Sequence, residues 1–191
     1  MLIASGTLGL APGRVGTERE MPDVAVHPRT GNAAATLALA ERGVRSIVVR
    51  FALTVHGAGD HAFVSTLVGI AREKGVSAYV GDGANRWPAV HRSDAAHLVR
   101  LGIENAPAAS VLHAVAEGGI PAREIAEAIG RGLDLPVTSV APEDAADHFG
   151  WIGGFFAADA PASSAITRSL LGWEPTGATL LQDLDSGSYY A

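Results

Sequence analysis

Apolar residues follow two rhythms along this chain, short unbroken runs and longer stretches at helical spacing, and the two alternate from the first residues onward. That order predicts an α/β fold built on a parallel sheet rather than segregated helices and strands. Residues 2–5, LIAS, read as a short buried strand, followed by a loop punctuated by Gly and Pro through Pro28. The alanine-rich run GNAAATLALAER, residues 31–42, is a strong helix former closed by Gly43. Next, RSIVVRFAL is β-branched and unbroken, which suits a strand covered on both faces. The loop HGAGDH leads into a helix over 62–74, closed by Gly75.

Further on, SAYV is a short strand, GDGANRWPAVH a loop, and Ser93 an N-cap for the helix DAAHLVRLGIE. SVLHAV reads as a strand, and Pro121 opens the helix AREIAEAIGRGL at a favoured first-turn position. PVTSV is another strand, residues 142–149 begin a helix, and Ser163 or Ser164 caps SAITRSLLG ahead of a polar tail bearing tyrosines. No repeat or low-complexity linker interrupts this order.

Composition narrows the function classes. With 191 residues and 48% of them apolar, the chain can bury a real core. The net charge of -6, with both signs interleaved and no basic run, gives no footprint for nucleic acid or an anionic membrane surface. The absence of cysteine removes disulfides, thiolate zinc sites and cysteine nucleophiles together, and fits a reducing compartment. The start MLIASGTLGLAPG lacks a basic n-region, and Gly6 and Gly9 break its apolar run, so it is a poor signal peptide. The most apolar segment, SIVVRFALTV, is too short for a membrane span and carries Arg50. The expectation is a cytoplasmic protein.

Four segments, in order, carry a resemblance. LIASGT looks like the strand that ends in a catalytic Ser/Thr, and IVVRFALTVHGAGD like an R-x-x-x-V-Y-G-P-G-D segment with His56 at the tyrosine and Ala58 at the proline. YVGDGANRWPAVHRSDAAHLV looks like a G-D-G-x-x-x-x-x-F-V-H-V-x-D-x-A segment, and LGWEPT matches L-G-W-x-P. Over nearly its whole length the chain thus resembles the C-terminal half of the extended short-chain dehydrogenases, the NAD-dependent epimerase/dehydratase family. The resemblance implies a partial Rossmann-like, doubly wound parallel sheet in residues 1–75, with a small C-terminal α/β substrate lobe in 76–191. It also implies NAD or NADP as cofactor and chemistry at a hydroxyl-bearing or carbonyl carbon of a small or sugar-like substrate.

Two departures qualify those implications. No strand, glycine-rich turn and helix for the pyrophosphate precedes Leu2. The family's tyrosine four residues before a lysine has no counterpart, since the single lysine is Lys74 and Ile70 stands four before it. The chain therefore reads as a truncated form that does not hold the cofactor alone, or as a non-catalytic module that binds a small molecule or a partner. A half-sheet would expose a strand edge, which predicts self-association or a partner covering that edge.

Candidate residues follow. Ser5 and Thr7 offer hydroxyls that could orient a substrate oxygen, or simply satisfy a turn. Gly6, Gly9 and Gly13 suggest a dinucleotide fingerprint, but Pro12, Gly16 and Pro22 disfavour the helix it needs. His56, at the motif's tyrosine position, is the candidate cofactor contact. His56, Asp60 and His61 could in principle ligate zinc, yet a loop shaped by Gly57 and Gly59 with Asp60 as N-cap explains them without metal. In relatives the segment of Arg86, Trp87 and His91 lines the substrate pocket, where Arg86 would pair with an anion and Trp87 would stack. Asp94 reads as a helix-start charge. A Ser5/His91/Asp94 hydrolase lacks the glycine-flanked nucleophile elbow. Trp151 and Trp173 read as core.

Overall fold

The computed structural model describes residues 1–21 and 28–190. Its first sheet is wholly parallel, in the order β1 (Leu2–Gly6), β2 (Ile47–Phe51), β6 (Ser110–Ala114). Successive residues of a strand face opposite sides, and the register places a polar row on one side of this sheet, next to the apolar row Ile3, Val48, Val111. Ala4, Val49 and Leu112 align on one side, and Ser5, Arg50 and His113 on the other. The apolar side packs on α3 (Arg92–Asn105), where Ala95 and Leu98 join Ile47, Val49, Leu112 and Trp173 in one core. β2 is buried from Ile47 to Arg50, as its unbroken apolar run requires. β1 departs from expectation. It is an edge strand with Ala4 and Gly6 exposed, because no strand pairs with its outer side among the described residues.

A second sheet orders β3 (Thr54–His56), β5 (Arg86–His91) and β7 (Glu117–Pro121), with β3 and β5 parallel and β7 antiparallel. β5 lies in the segment read as a loop. Pro88 sits in this central strand without an N–H to donate, and the register shifts between Trp87 and Ala89 to accommodate it. β7, EGGIP, carries two glycines that weaken any strand signal but are required by close neighbours. A Cβ on Gly119 would lie 2.9 Å from Arg86 Cβ, and one on Gly118 would lie 3.0 Å from the Ala162 carbonyl oxygen.

The third element pair is β4 (Ser77–Val80) and β8 (Val137–Val140), parallel to each other. Against them pack α2 (Phe63–Lys74) and α4 (Ala122–Leu133), and α8 (Leu180–Asp185) packs in turn on α4 and β5. Ala122, Ile125, Ala126 and Ile129 give α4 an apolar stripe at helical spacing, all buried. Gly75 closes α2 in the left-handed conformation, and Gly43 likewise ends the turn that follows α1 (Pro28–Ala38). The short α5 (Ala145–Phe149), α6 (Gly153–Phe156) and α7 (Ala165–Leu171) complete the chain. β6 joins the first sheet from beyond residue 75, so strands of the two expected parts interleave.

Several local expectations need correction. The N-cap of α3 is His91, whose Nδ1 accepts from the Ser93 N–H, and Ser93 is already helical. Asp60 accepts from the Ala62 N–H but precedes the cap position of α2 by two residues. Asp94 leaves its own helix start and accepts from the N–H groups of Thr176 and Gly177, tying α3 to the LGWEPT segment. Trp173 is fully buried, with its indole N–H donating to the Asp94 carbonyl. Trp151 is 65% exposed and stands on the surface beside Phe155. Among the described residues, no helix is long and apolar enough to cross a membrane.

Candidate functional site

At the C-terminal end of the first sheet, the polar row Ser5, Arg50, His113 meets the loop before α1. Ligands of open parallel sheets gather at this end of the strands. Thr7 follows β1 directly, and its hydroxyl is buried without a hydrogen-bond partner among the described residues. Arg50 is 2% exposed; its guanidinium donates to His113 Nε2 at 3.4 Å and approaches the Met21 sulfur at 3.7 Å. Burial pushes the Arg50 guanidinium down from its ordinary value, against the pull of Glu20 and Glu18. His113 donates from Nδ1 to the Ser163 carbonyl at 2.8 Å, and burial holds its imidazole below the usual histidine value. Glu18, also buried, accepts from both the N–H and the hydroxyl of Thr167 at 2.8 and 2.7 Å, leaving Oε2 without a partner among the described residues.

The second cluster surrounds the paired strands β3 and β5, where His56 and His91 stand in register with ring centroids 5.5 Å apart. His56 is fully buried. Its Nδ1–H donates to Asp183 of α8 at 2.6 Å, and its Nε2 lies 3.9 Å from Glu117 with no hydrogen bond among the described residues. His91 Nε2 is 3.9 Å from the same Asp183 oxygen. The loop after β3 turns through Gly57 at φ +143, where a Cβ would press on Arg92 and on His91 Nε2, each at 3.1 Å. The Gly57 N–H donates to the Tyr189 hydroxyl, which donates in turn to Asp60, so the C-terminal tail clasps this loop. Burial pushes the Tyr189 phenol well up from its ordinary value. His61 is exposed, and no cluster of three or more metal-ligating side chains forms among the described residues.

The third feature is a cleft of about 400 Å³ between the second sheet and α7, walled by Val15, Val115, Pro161 and Ala162 and floored by Gly118 and Gly119. Two arginines enter it. Arg86 is gripped by Asp159, which accepts from the Arg86 N–H at 2.8 Å, from Nε at 3.0 Å and from NH2 at 2.8 Å. Those bonds hold the Asp159 carboxyl below its ordinary value and raise Arg86. Arg168 donates from Nε to the Ser164 hydroxyl and from NH2 to the Ala116 carbonyl, with its guanidinium 5.6 Å above the Trp173 ring.

The structure thus brings His56 and His91 together and sets Arg86 in a cleft that neither histidine lines. Trp87 takes the opposite face of β5 from Arg86. It is fully buried against Phe63 and Phe156, with its indole N–H on the Phe155 carbonyl, and this leaves no face on which a ligand could stack. Ser5 and Thr7 belong to the first sheet's end and do not line the cleft. Sequence reading did not find Glu18, His113, Asp159, Arg168 or Asp183. A row of charged residues inside β-branched strands is the only local signal, and it marks Arg50 and His113 alone.

No family model matches the chain. It is 51% identical over 179 residues to the uncharacterized protein C2A9.02 of Schizosaccharomyces pombe, covering 93% of this chain and 60% of that one. It is 42% identical over 184 residues to the uncharacterized protein YLL056C of Saccharomyces cerevisiae, covering 96% and 62%. The chain therefore spans about three fifths of these relatives' length. Among solved structures it is similar to DesIV, a dTDP-glucose 4,6-dehydratase from Streptomyces venezuelae with NAD bound. The TM-score is 0.76 at 17% identity, over 99% of this chain and 59% of that one. It is also similar to RMD from Pseudomonas aeruginosa complexed with NADPH, with a TM-score of 0.69 at 18% identity over 98% and 65%. These likenesses are of fold: an α/β arrangement on parallel sheets, shared with NAD- and NADP-bound proteins.

Proposed function

We propose that this chain is the substrate-side portion of an NAD(P)-dependent short-chain dehydrogenase of the epimerase/dehydratase type. In this reading it acts at a hydroxyl-bearing or carbonyl carbon of a small or sugar-like substrate when completed by a dinucleotide-binding portion. The observation that supports the reading is the superposition of 99% of the chain on three fifths of a dehydratase that binds NAD. The unpaired outer edge of β1 is where a completing strand would add, whether from a longer chain, a second copy or another protein. Ser5 and Thr7 are the hydroxyls that would face the reacting carbon, and the cleft at Arg86 would hold the substrate's remainder. Gly57 and its neighbours, after β3, would border the cofactor, with His56 positioning that loop from within rather than touching the dinucleotide.

In this reading the chain alone holds NAD(H) and NADP(H) more weakly than about millimolar, since no glycine-rich turn with its helix dipole cradles the pyrophosphate. Calorimetric titration of the chain with each nucleotide tests this, and a micromolar dissociation constant would overturn it. Sedimentation velocity over a tenfold concentration range tests the open edge. Self-association is expected, whereas a compact monomer with a cooperative thermal transition would favour a self-sufficient binding module.

A further inference from the structure

The two arginines of the cleft are not equivalent, and the difference specifies a ligand charge. Arg86 and Asp159 form a closed unit. The carboxylate takes Nε, NH2 and the backbone N–H of the same residue, so even if the guanidinium swings away, the negative charge stays anchored to the strand. The pair contributes no net charge to the cleft. Arg168 has no carboxylate within ion-pair distance among the described residues. Its orientation is nevertheless fixed by Ser164, by the Ala116 carbonyl and by the Trp173 ring. These contacts use Nε and NH2 and leave NH1 without a hydrogen bond among the described residues. The rest of the lining is apolar or small.

We propose that this cleft takes a ligand with a single anionic group, a carboxylate on a compact apolar body, bound by Arg168, and that it discriminates against a diphosphate. A fixed guanidinium suits one planar carboxylate, because its donors lie in one plane at matching spacing. A diphosphate brings a second and third negative charge, for which the cleft offers only an arginine already neutralised. The Asp159 carboxylate cancels the Arg86 charge through its bonds to Nε and NH2, so that excess meets no net positive partner. The proposal rests on the reading that this cleft is the substrate site and adds the ligand class.

The test uses matched probes on the intact chain: benzoate against benzamide, cyclohexanecarboxylate against its carboxamide, and UMP against UDP. Binding is followed by the Nε–H NMR signals of Arg168 and Arg86. Each acid is expected to bind at least about tenfold tighter than its amide, the effect of one charge contact, and to move the Arg168 signal first. Arg168→Gln should shrink that preference to within about twofold, with a retained spectrum showing that the fold survives. Arg168→Lys should keep part of it, since the charge remains and the fork is lost. UDP should bind no tighter than UMP in the natural chain, and Asp159→Asn should strengthen UDP by about tenfold while leaving the acids little changed. UDP binding tighter than every acid, or acids that move Arg86 and not Arg168, would overturn the charge assignment while leaving the cleft as the site. If no probe shifts either arginine, the cleft is not the ligand site and both readings fall.

Discussion

The two halves of the interior solve burial in opposite ways. The core around α2, α4, β4 and β8 is closed by its own side chains, with Trp87, Phe149 and Phe156 interlocked edge to face and Leu180 and Leu184 sealing it from the C-terminal helix. The first sheet is apolar on its α3 side, whereas its other side mixes the apolar row Ile3, Val48, Val111 with a polar one. On that other side Arg50, His113 and Glu18 are buried, and no strand pairs with the β1 edge among the described residues. Buried charges and an unpaired strand edge each carry a cost in a folded chain. Both features concentrate in the first-sheet region, while the second core closes on aromatic and aliphatic side chains.

The contrast predicts different responses to mutation. Trp87→Ala should cost about 3–5 kcal/mol, because it deletes a fully buried indole, leaves a cavity among Phe63 and Phe156, and orphans the Phe155 carbonyl. Urea denaturation should show a strongly lowered midpoint. If the cost stayed below about 1 kcal/mol, the second core would be far looser than its packing implies.

In the first-sheet region the vulnerable element is a hydrogen bond, not a volume. Glu18→Ala should cost about 1–3 kcal/mol by leaving the Thr167 N–H and hydroxyl unsatisfied in the interior. Glu18→Gln keeps an acceptor in place and should recover most of that loss. Equal destabilisation by both variants would mean that the carboxylate's charge near Arg50, rather than its bonds to Thr167, is what matters.

The same division explains what the sequence made legible. Periodicity and β-branching located β2, α2 and α4, and glycines after helical runs marked true left-handed ends at Gly43 and Gly75. Pro88 and the Gly118–Gly119 pair concealed β5 and β7, since each residue breaks the local strand pattern while tertiary contacts enforce the strand. The candidate site was legible only one residue at a time. Arg86, Trp87 and His91 were singled out together because their segment resembles a family motif, yet the strand sends Arg86 into the cleft, Trp87 into the core on the opposite face and His91 beside His56. The partners that define each cluster lie far away along the chain: Asp183 is 127 residues from His56, and Thr167 is 149 from Glu18. No local rhythm encodes such pairs.

A third prediction uses pH to compare the regions. Burial holds His113 below its ordinary value of 6.5 in the folded protein, and His148, beside the second core, is lowered by burial and by Lys74. For each, the unfolded chain takes up the proton first as pH falls. The stability these neutral imidazoles confer is therefore fully present above about 6.5 and is lost progressively as pH drops toward the folded values. Urea midpoints between pH 8 and 5.5 should fall on the acid side. His113→Gln, which keeps a donor and an acceptor without titrating, should flatten most of that fall, because His113 is fully buried and faces the Arg50 cation, whereas His148 is partly exposed. An unchanged acid limb would move the proton-sensitive element into the second region.

The smallest effect is expected at Trp151, and it sharpens the comparison from outside. This indole is 65% exposed, and its ring neighbours among the described residues are the partly buried Phe63 and the exposed Phe155, with centroids 5.6 and 6.0 Å away. Most of its surface is already in water, so removing it withdraws little apolar area from burial and opens no enclosed cavity. Trp151→Ser should change stability by no more than about 0.5 kcal/mol, against the several expected at Trp87 on the inner side of the same aromatic cluster. The two variants probe one continuous set of rings at different depths, so the ratio of their effects measures how abruptly the closed core ends. Thermal and urea midpoints within error of the natural chain are the expected result. A loss comparable to that of Trp87→Ala would mean that the ring is covered in solution, and sedimentation velocity on the same variant would then show whether a second copy covers it.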